Sequence, residues 1–405
     1  MTMKIRKYAE RIPQYTARAV LPLVKLPKPP VLSGVRMIRR FPEVIAMTDV
    51  RRLLIVCDKA AAEQPFLAQL KEDLADQDIA SVVYTQEADE PELHDVYSAV
   101  DRYLSELCDG VLGVGGASAM HCAKLTAARV TNIKPVPKMA GIGRVFHRLP
   151  PLFAVPMTFG SGCESSTGAE VLDDETGSRI TVIDPKLCPM AVCLDPELTS
   201  ALSAEQTAAM GMEALSFAIE AYTGLFDTDD VRTEALDASR MVFENLKKNV
   251  ADLEDWHTRL NLQKASVKAG EAFSRGMAGY TYAIANVLSE AYELPKASLK
   301  AAILPAVLAN SADACAGKLA ELAYNAGLGS EWDEDEELAE ALIDRIHRMN
   351  ADLGLPTTFA EIRPGEVREL AAQVVSEMNS AYPVPKLMDQ TEVADLISGL
   401  IDLNA

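Results

Sequence analysis

Glu213 and Phe217 stand four residues apart in the stretch GMEALSFAIEAY, residues 211–222. Helical spacing puts them on one face, one turn apart. A carboxylate followed four residues later by a histidine is a common way for a helix to hold a metal ion. Here the second position is a phenyl ring. The stretch reads either as an ordinary buried helix or as a metal site that has lost its metal.

A second group of candidates lies in GVGGASAMHCAK, residues 113–124. Gly115 and Gly116 let backbone N–H groups approach a phosphate closely, and the N-terminus of the following helix favours its charge. Ser118 adds a hydroxyl donor. The plainer alternative is a tight strand–helix turn with no ligand. Asp58, at the end of an earlier strand, suits the ribose hydroxyls of an adenosine, or is a simple cap. The loop PMTFGSGCESS, residues 156–166, sets Thr158, Ser161 and Cys163 among glycines. Its donors suit a phosphate or a carboxamide. No histidine is near Cys163 in sequence, so it reads as a small buried thiol rather than a nucleophile. The five histidines are His94, His121, His147, His257 and His347, and no two are at metal-ligand spacing. Of these, only His121 falls beside the expected phosphate.

These residues need elements to position them. RRLLIVCDKAA reads as a buried parallel strand ending at Asp58, and IASVVYT as another. PFLAQLKEDLADQ and ELHDVYSAVDRYLSELC have helical spacing. DGVLGVGGASAMHCAKLTAARV is strand, turn and helix. The alternation predicts a doubly wound, Rossmann-like parallel sheet. The stretch from PPLFAVP to ELTSAL carries short strands and turn signals and is expected to form hairpins. Beyond residue 200 the pattern is helical, with Ser203 as the N-cap of the first helix and a break at LGLPTTFAEI. The expected organisation is an N-terminal extension over 1–30, an α/β domain over 31–200 and an all-α domain over 201–405.

Composition narrows the function. The chain has 405 residues, 49% hydrophobic and 24% charged, with net charge −20. That size suits two domains, and that charge disfavours nucleic acid or an anionic membrane surface. Seven cysteines without a C-x-x-C pair suggest reduced thiols in the cytoplasm. No apolar run reaches membrane-spanning length. KLPKPP is expected to be extended, and the basic segment before it to serve as a docking arm or oligomer contact.

Taken in order, the motifs resemble the iron-containing (group III) alcohol dehydrogenases of the dehydroquinate synthase-like fold, over nearly all of residues 31–405. The family pattern G-G-G-S-x-x-D-x-A-K is matched by GGASAMHCAK, and P-T-T-x-G-T-G-S-E by PMTFGSGCE. DDETGSR, LDPELT, AAMGMEALSFAIEAY, KAAILPAVLAN and LGLP follow in the family's order. The resemblance implies a dinucleotide site between two domains. Asp58 matches the acidic residue associated with NAD rather than NADP. Gly115, Gly116 and Ser118 match the pyrophosphate loop, and Thr158 and Ser161 the second loop. Arg179 stands where the family has a ribose-contacting lysine. His121 replaces the motif's aspartate, and Ala117 its third glycine.

The resemblance also explains Glu213 and Phe217, which occupy the family's Asp and His ligand positions. Two further histidine ligands lie fourteen residues apart, in a segment ending P-H-G-x-x-N-A-I-L-L-P. Here that end reads PKASLKAAILP, which puts Lys296 and Tyr282 at those positions, and Asn286 at a third histidine near the substrate. An ammonium, a phenol and a phenyl ring do not assemble a divalent-metal site. No iron or zinc is therefore expected. Two readings stay open. Tyr282 and Lys296 form a catalytic acid–cation pair in place of the metal, or Lys296 pairs with Glu213 and fills the old cavity. The expected function is a metal-independent NAD(P)-dependent oxidoreductase interconverting a small alcohol and its aldehyde or ketone. The alternative is a catalytically silent relative that binds nucleotide or a protein partner. A small-molecule substrate and a homodimer are expected.

Overall fold

The computed structural model describes residues 11, 14, 15, 18, 26–88, 90–330 and 332–402, with only the backbone of 379–381. The chain divides into two compact units. One is Leu26–Leu202, and the other combines Ser203–Ala405 with the segment Met1–Lys25.

The first unit is built on six strands. They are β1 (Val31–Ser33), β2 (Arg52–Cys57), β3 (Ala80–Thr85), β4 (Gly110–Gly115), β6 (Leu152–Pro156) and β9 (Ala191–Leu194), in the order β1-β9-β6-β4-β2-β3. Every pairing is parallel. Helices α1 (Pro65–Ala75), α2 (Leu93–Ser105) and α3 (Ala117–Thr131) alternate with the strands. β4 and β6 are buried at every position, as central parallel strands covered on both faces must be.

The expectation for residues 150–200 needs correction. Only β7 (Gly168–Asp173) and β8 (Ser178–Ile183) form a hairpin, in a small sheet with β5 (Gly141–Ile142). β6 and β9 instead enter the parallel sheet, with β6 between β4 and β9. LFAVP and AVCL are short and wholly apolar, which fits a buried parallel strand as well as a hairpin strand.

The second unit is helical. Its helices are α4 (Ala204–Thr223), α5 (Asp229–Ala251), α6 (Trp256–Gly276), α7 (Tyr280–Tyr292), α8 (Lys296–Asn325), α9 (Asp335–Asp352), α10 (Val367–Ala381) and α11 (Gln390–Ser398). Ser203 caps α4 in a capping box, its hydroxyl accepting from Gln206 N at 3.1 Å while Gln206 Oε1 accepts from Ser203 N at 3.0 Å. From Gly211 to Thr223 every residue of α4 is buried, so this helix runs through the core. Gly211 permits that. A Cβ there would lie 2.4 Å from Leu246 Cδ1 of α5.

Among the described residues, α8 is the one helix long and apolar enough to cross a membrane. It carries a buried lysine described below, and 56% of its most apolar window is buried within the protein. The expected N-terminal extension lies mostly outside the described residues. Within the second unit, the Arg11 guanidinium donates to Val384 O at 2.6 Å and Pro385 O at 3.0 Å.

Candidate functional site

In the Leu26–Leu202 unit the register Gly115↔Pro156 and Cys57↔Val114 brings three strand ends together. Asp58 follows β2, Gly115 and Gly116 follow β4, and the Thr158 loop follows β6. Asp58 Oδ1 accepts from Ala61 N at 2.8 Å, and Oδ2 accepts from Gly116 N at 2.7 Å. The aspartate therefore both caps a one-turn helix and ties the glycine turn to the neighbouring strand. Gly115 has φ +135°, and a Cβ there would lie 2.3 Å from Asp58 Oδ2. This position admits glycine alone. At Gly116 a Cβ would meet Thr158 at 3.6 Å, an ordinary contact. The strict glycine is Gly115, and the Gly116 amide is spent on Asp58. The first-turn amides of α3, at Ala117, Ser118 and Ala119, precede its first bond from Met120 N to Gly116 O and point along the helix start.

Ser118 bonds to Gln86 Nε2, and Gln86 also donates to Ala88 O at 2.6 Å. Sequence reading missed Gln86. Its Oε1 is buried without a hydrogen-bond partner, whereas buried acceptors are normally satisfied. Ser161 Oγ accepts from Cys163 N at 3.4 Å. Arg179 is committed to carboxylates, donating to Glu90 Oε2 at 3.0 Å and standing 3.7 Å from Glu170 Oε2. The cradle of Gly115, Asp58 and the α3 N-terminus fits a dinucleotide phosphate. Asp58 keeps lone pairs for ribose hydroxyls, since a carboxylate has about four acceptor sites.

In the helical unit three of the positions that match family ligands, Glu213, Phe217 and Tyr282, surround a residue that the sequence did not single out. Lys300 Nζ lies 2.5 Å from Glu213 Oε1, 4.3 Å from the Phe217 ring centroid and 5.4 Å from that of Tyr282. Its side chain is 4% exposed. Phe217, Phe273 and Tyr282 pack with centroids 5.0–6.0 Å apart, and Tyr282 meets Tyr382 at 6.3 Å. The ammonium thus sits against one carboxylate and over two aromatic faces, which attract a cation.

This corrects the expected Lys296–Glu213 pair. The lysine that reaches Glu213 is one turn further along α8, while Lys296 opens the helix and is half-buried. Spacing carried the signal. Lys300 is four residues from Lys296 on the same face, at the asparagine of P-H-G-x-x-N.

Divalent iron or zinc does not fit this cluster. One carboxylate is present, it is already neutralised, and an ion beside it would face an ammonium. Asn286, at the third histidine position, is 5% exposed and its Oδ1 is buried without a hydrogen-bond partner. The other buried acid in α4, Glu220, serves structure. It accepts from Thr281 N at 2.7 Å and Gly279 N at 3.1 Å, capping α7, and burial pushes its pKa up against those bonds. Among the described residues one group has metal-ligating atoms close together, Glu92, His94 and Asp174 in the first unit. His94 Nδ1 is already 3.1 Å from Glu92 Oε2.

Comparison with known proteins identifies the family. Residues 29–196 match the family profile of iron-containing alcohol dehydrogenase, and 207–401 that of the Fe-containing alcohol dehydrogenase family, C-terminal. The NAD-dependent methanol dehydrogenase of Bacillus methanolicus is 27% identical over 87% of this chain and 92% of its own length. The 1,3-propanediol dehydrogenase of Citrobacter freundii is 28% identical over 85% and 90%. A crystal structure of 1,3-propanediol oxidoreductase superposes with a TM-score of 0.89 at 24% identity, covering 93% of this chain and 100% of the other. A sulfoacetaldehyde reductase from Bifidobacterium kashiwanohense, in complex with NAD+, does so with a TM-score of 0.83 at 21% identity, covering 94% and 99%. The chain belongs to the iron-containing alcohol dehydrogenase family, whose chemistry is the oxidoreduction of alcohols.

Proposed function

We propose that this protein is an NAD(H)-dependent oxidoreductase of small alcohols and their aldehydes or ketones, working without a metal ion. NAD(H) is preferred over NADP(H), because Asp58 would repel a 2′-phosphate. The relatives named for NAD support the cofactor. Net charge −20 speaks against nucleic acid, and the seven free thiols suit a reducing cytoplasm. A homodimer is proposed from the family.

The observation that carries metal independence is the Lys300 ammonium at the centre of the altered ligand positions. Bound NAD+ supplies the hydride acceptor. The protein's part is charge and proton handling. An ammonium fixed by Glu213 stabilises a developing alkoxide, as a preorganised donor does. The phenol of half-buried Tyr282 exchanges the hydroxyl proton. Lys296 remains a candidate second cation at the start of α8. Asn286 Oδ1, a buried acceptor, suits a substrate hydroxyl.

The test is NADH oxidation with a panel of small aldehydes and ketones, with and without chelator. Turnover is expected to survive chelation. Tyr282→Phe keeps the ring over Lys300 and is expected to lose about a hundredfold in kcat with NADH affinity unchanged. Loss of turnover on chelation, restored by Fe2+ or Zn2+, overturns metal independence. A second reading has its own observation. Lys300 is already paired and covered, which suits a silent nucleotide-binding relative. Tight NADH binding with no turnover across the panel selects that reading.

A further inference from the structure

Cys163 and His121 are 42 residues apart, and the structure joins them, with Cys163 Sγ 2.9 Å from His121 Nε2. The topology accounts for it. His121 lies in the second turn of α3, which leaves β4, and Cys163 lies in the loop that leaves β6, the strand paired with β4. Both residues depart from the family patterns, which carry aspartate and serine there. Two departures that touch each other form a unit, with the imidazole in place of the carboxylate and the thiol in place of the hydroxyl.

A buried cation lies within electrostatic reach of the thiol, and the buried Glu164 carboxylate next in the chain acts on the same cation. One turn beyond His121, Lys124 is fully buried, its ammonium donating to Ser166 O at 2.6 Å and Gly168 O at 3.0 Å. Burial lowers the Lys124 pKa, and the Cys163 charge acts in the opposite direction. The attraction is mutual. Cys163 is 6% exposed, so a thin edge of it meets solvent. Five other thiols are held in the neutral form by burial. Burial raises Cys57, Cys122 and Cys193, and lifts Cys108 and Cys315 to about 11.

We propose that Cys163 is a nucleophilic thiol with His121 as its base, and a modification site for carbon electrophiles of the α,β-unsaturated carbonyl class. In the Nδ1–H tautomer, Nε2 accepts the thiol proton. The sulfur attacks the β-carbon, one S–C bond forms as the C=C π bond breaks, and the α-carbon takes the proton back from the imidazolium. Nothing is oxidised or reduced. Resting on the nucleotide reading above, the adduct would crowd the loop of Thr158 and Ser161 and exclude NADH.

The test is limiting N-ethylmaleimide on the intact chain, with the rate at each cysteine read by peptide mass spectrometry. Cys163 is expected to label about tenfold or more faster than any other cysteine, the half-buried Cys188 included. His121→Asn is expected to lower that rate by about tenfold or more. Labelling of Cys188 first, or an unchanged rate in His121→Asn, overturns the proposal. A misfolded variant would label every buried thiol together, so the wild-type pH profile decides independently. A paired thiolate keeps reacting below pH of about 7, whereas an ordinary thiol loses tenfold per pH unit below about 8.5. The latter profile at Cys163 also overturns it. Protection by NADH tests the loop assignment alone. Fast labelling without protection keeps the nucleophile and removes the nucleotide from this loop.

Discussion

The Gly115 turn and the Lys300 cluster differ in what holds them together. At the turn, function rests on backbone. The left-handed glycine and the Asp58 bond to the next amide survive changes such as Ala117 and His121 in neighbouring side chains. At the cluster, function rests on side chains that must all be ligands at once. There one ion pair and a ring stack stand at positions where the family pattern has ligands, which the proposed reading takes as a replaced coordination set.

The largest effect expected from breaking this comparison is at Lys300. Lys300→Met strands the Glu213 carboxylate and is expected to cost about 3–5 kcal/mol in chemical denaturation. The double variant Glu213→Leu, Lys300→Met removes both charges and is expected to recover most of that stability. Under the catalytic reading it recovers the fold without the turnover. If the double variant is as unstable as the single, the pair is not what holds this part of the core.

Next in size is Gly115→Ala. Its Cβ meets Asp58 at 2.3 Å and its φ is +135°. A loss of about 1–3 kcal/mol in stability follows from strain of this kind, together with a clear fall in NADH affinity by calorimetry. Gly116→Ala sharpens the contrast. Its Cβ would make only ordinary contacts, the nearest at 3.6 Å to Thr158, and a change within about 1 kcal/mol is expected. Equal effects at the two glycines would remove the distinction drawn between them. The smallest effect is at Asp58→Asn. The cap persists in part, so stability falls by about 1 kcal/mol or less. The discrimination against NADP(H) is expected to narrow, and an unchanged ratio of the two affinities would take Asp58 off the ribose.

The sequence showed much of this, unevenly. Strand, glycine turn and helix were legible through residue 131, because apolar runs alternate with helical periodicity and glycine marks the turn. Within residues 150–200 the hairpin of β7 and β8 was legible, but LFAVP and AVCL were misread, because they are too short to show which kind of strand they are. The altered ligand positions were legible only through motif order. Lys300 was not, because a helix presents both Lys296 and Lys300 on one face, and only packing decides which ammonium reaches Glu213. The His121–Cys163 contact was invisible for a similar reason. It depends on β4 and β6 being neighbours, which the misread segment concealed.

The central claim is that a tethered ammonium stands where the family holds an ion. Its most direct test is metal stoichiometry. The protein is equilibrated with Fe2+ or Zn2+, freed of unbound metal by gel filtration and measured by elemental analysis, alongside Glu213→Ala and Glu92→Ala. Well below one equivalent per chain is expected, with any residual metal following Glu92. One equivalent retained by the wild type and lost in Glu213→Ala would contradict it.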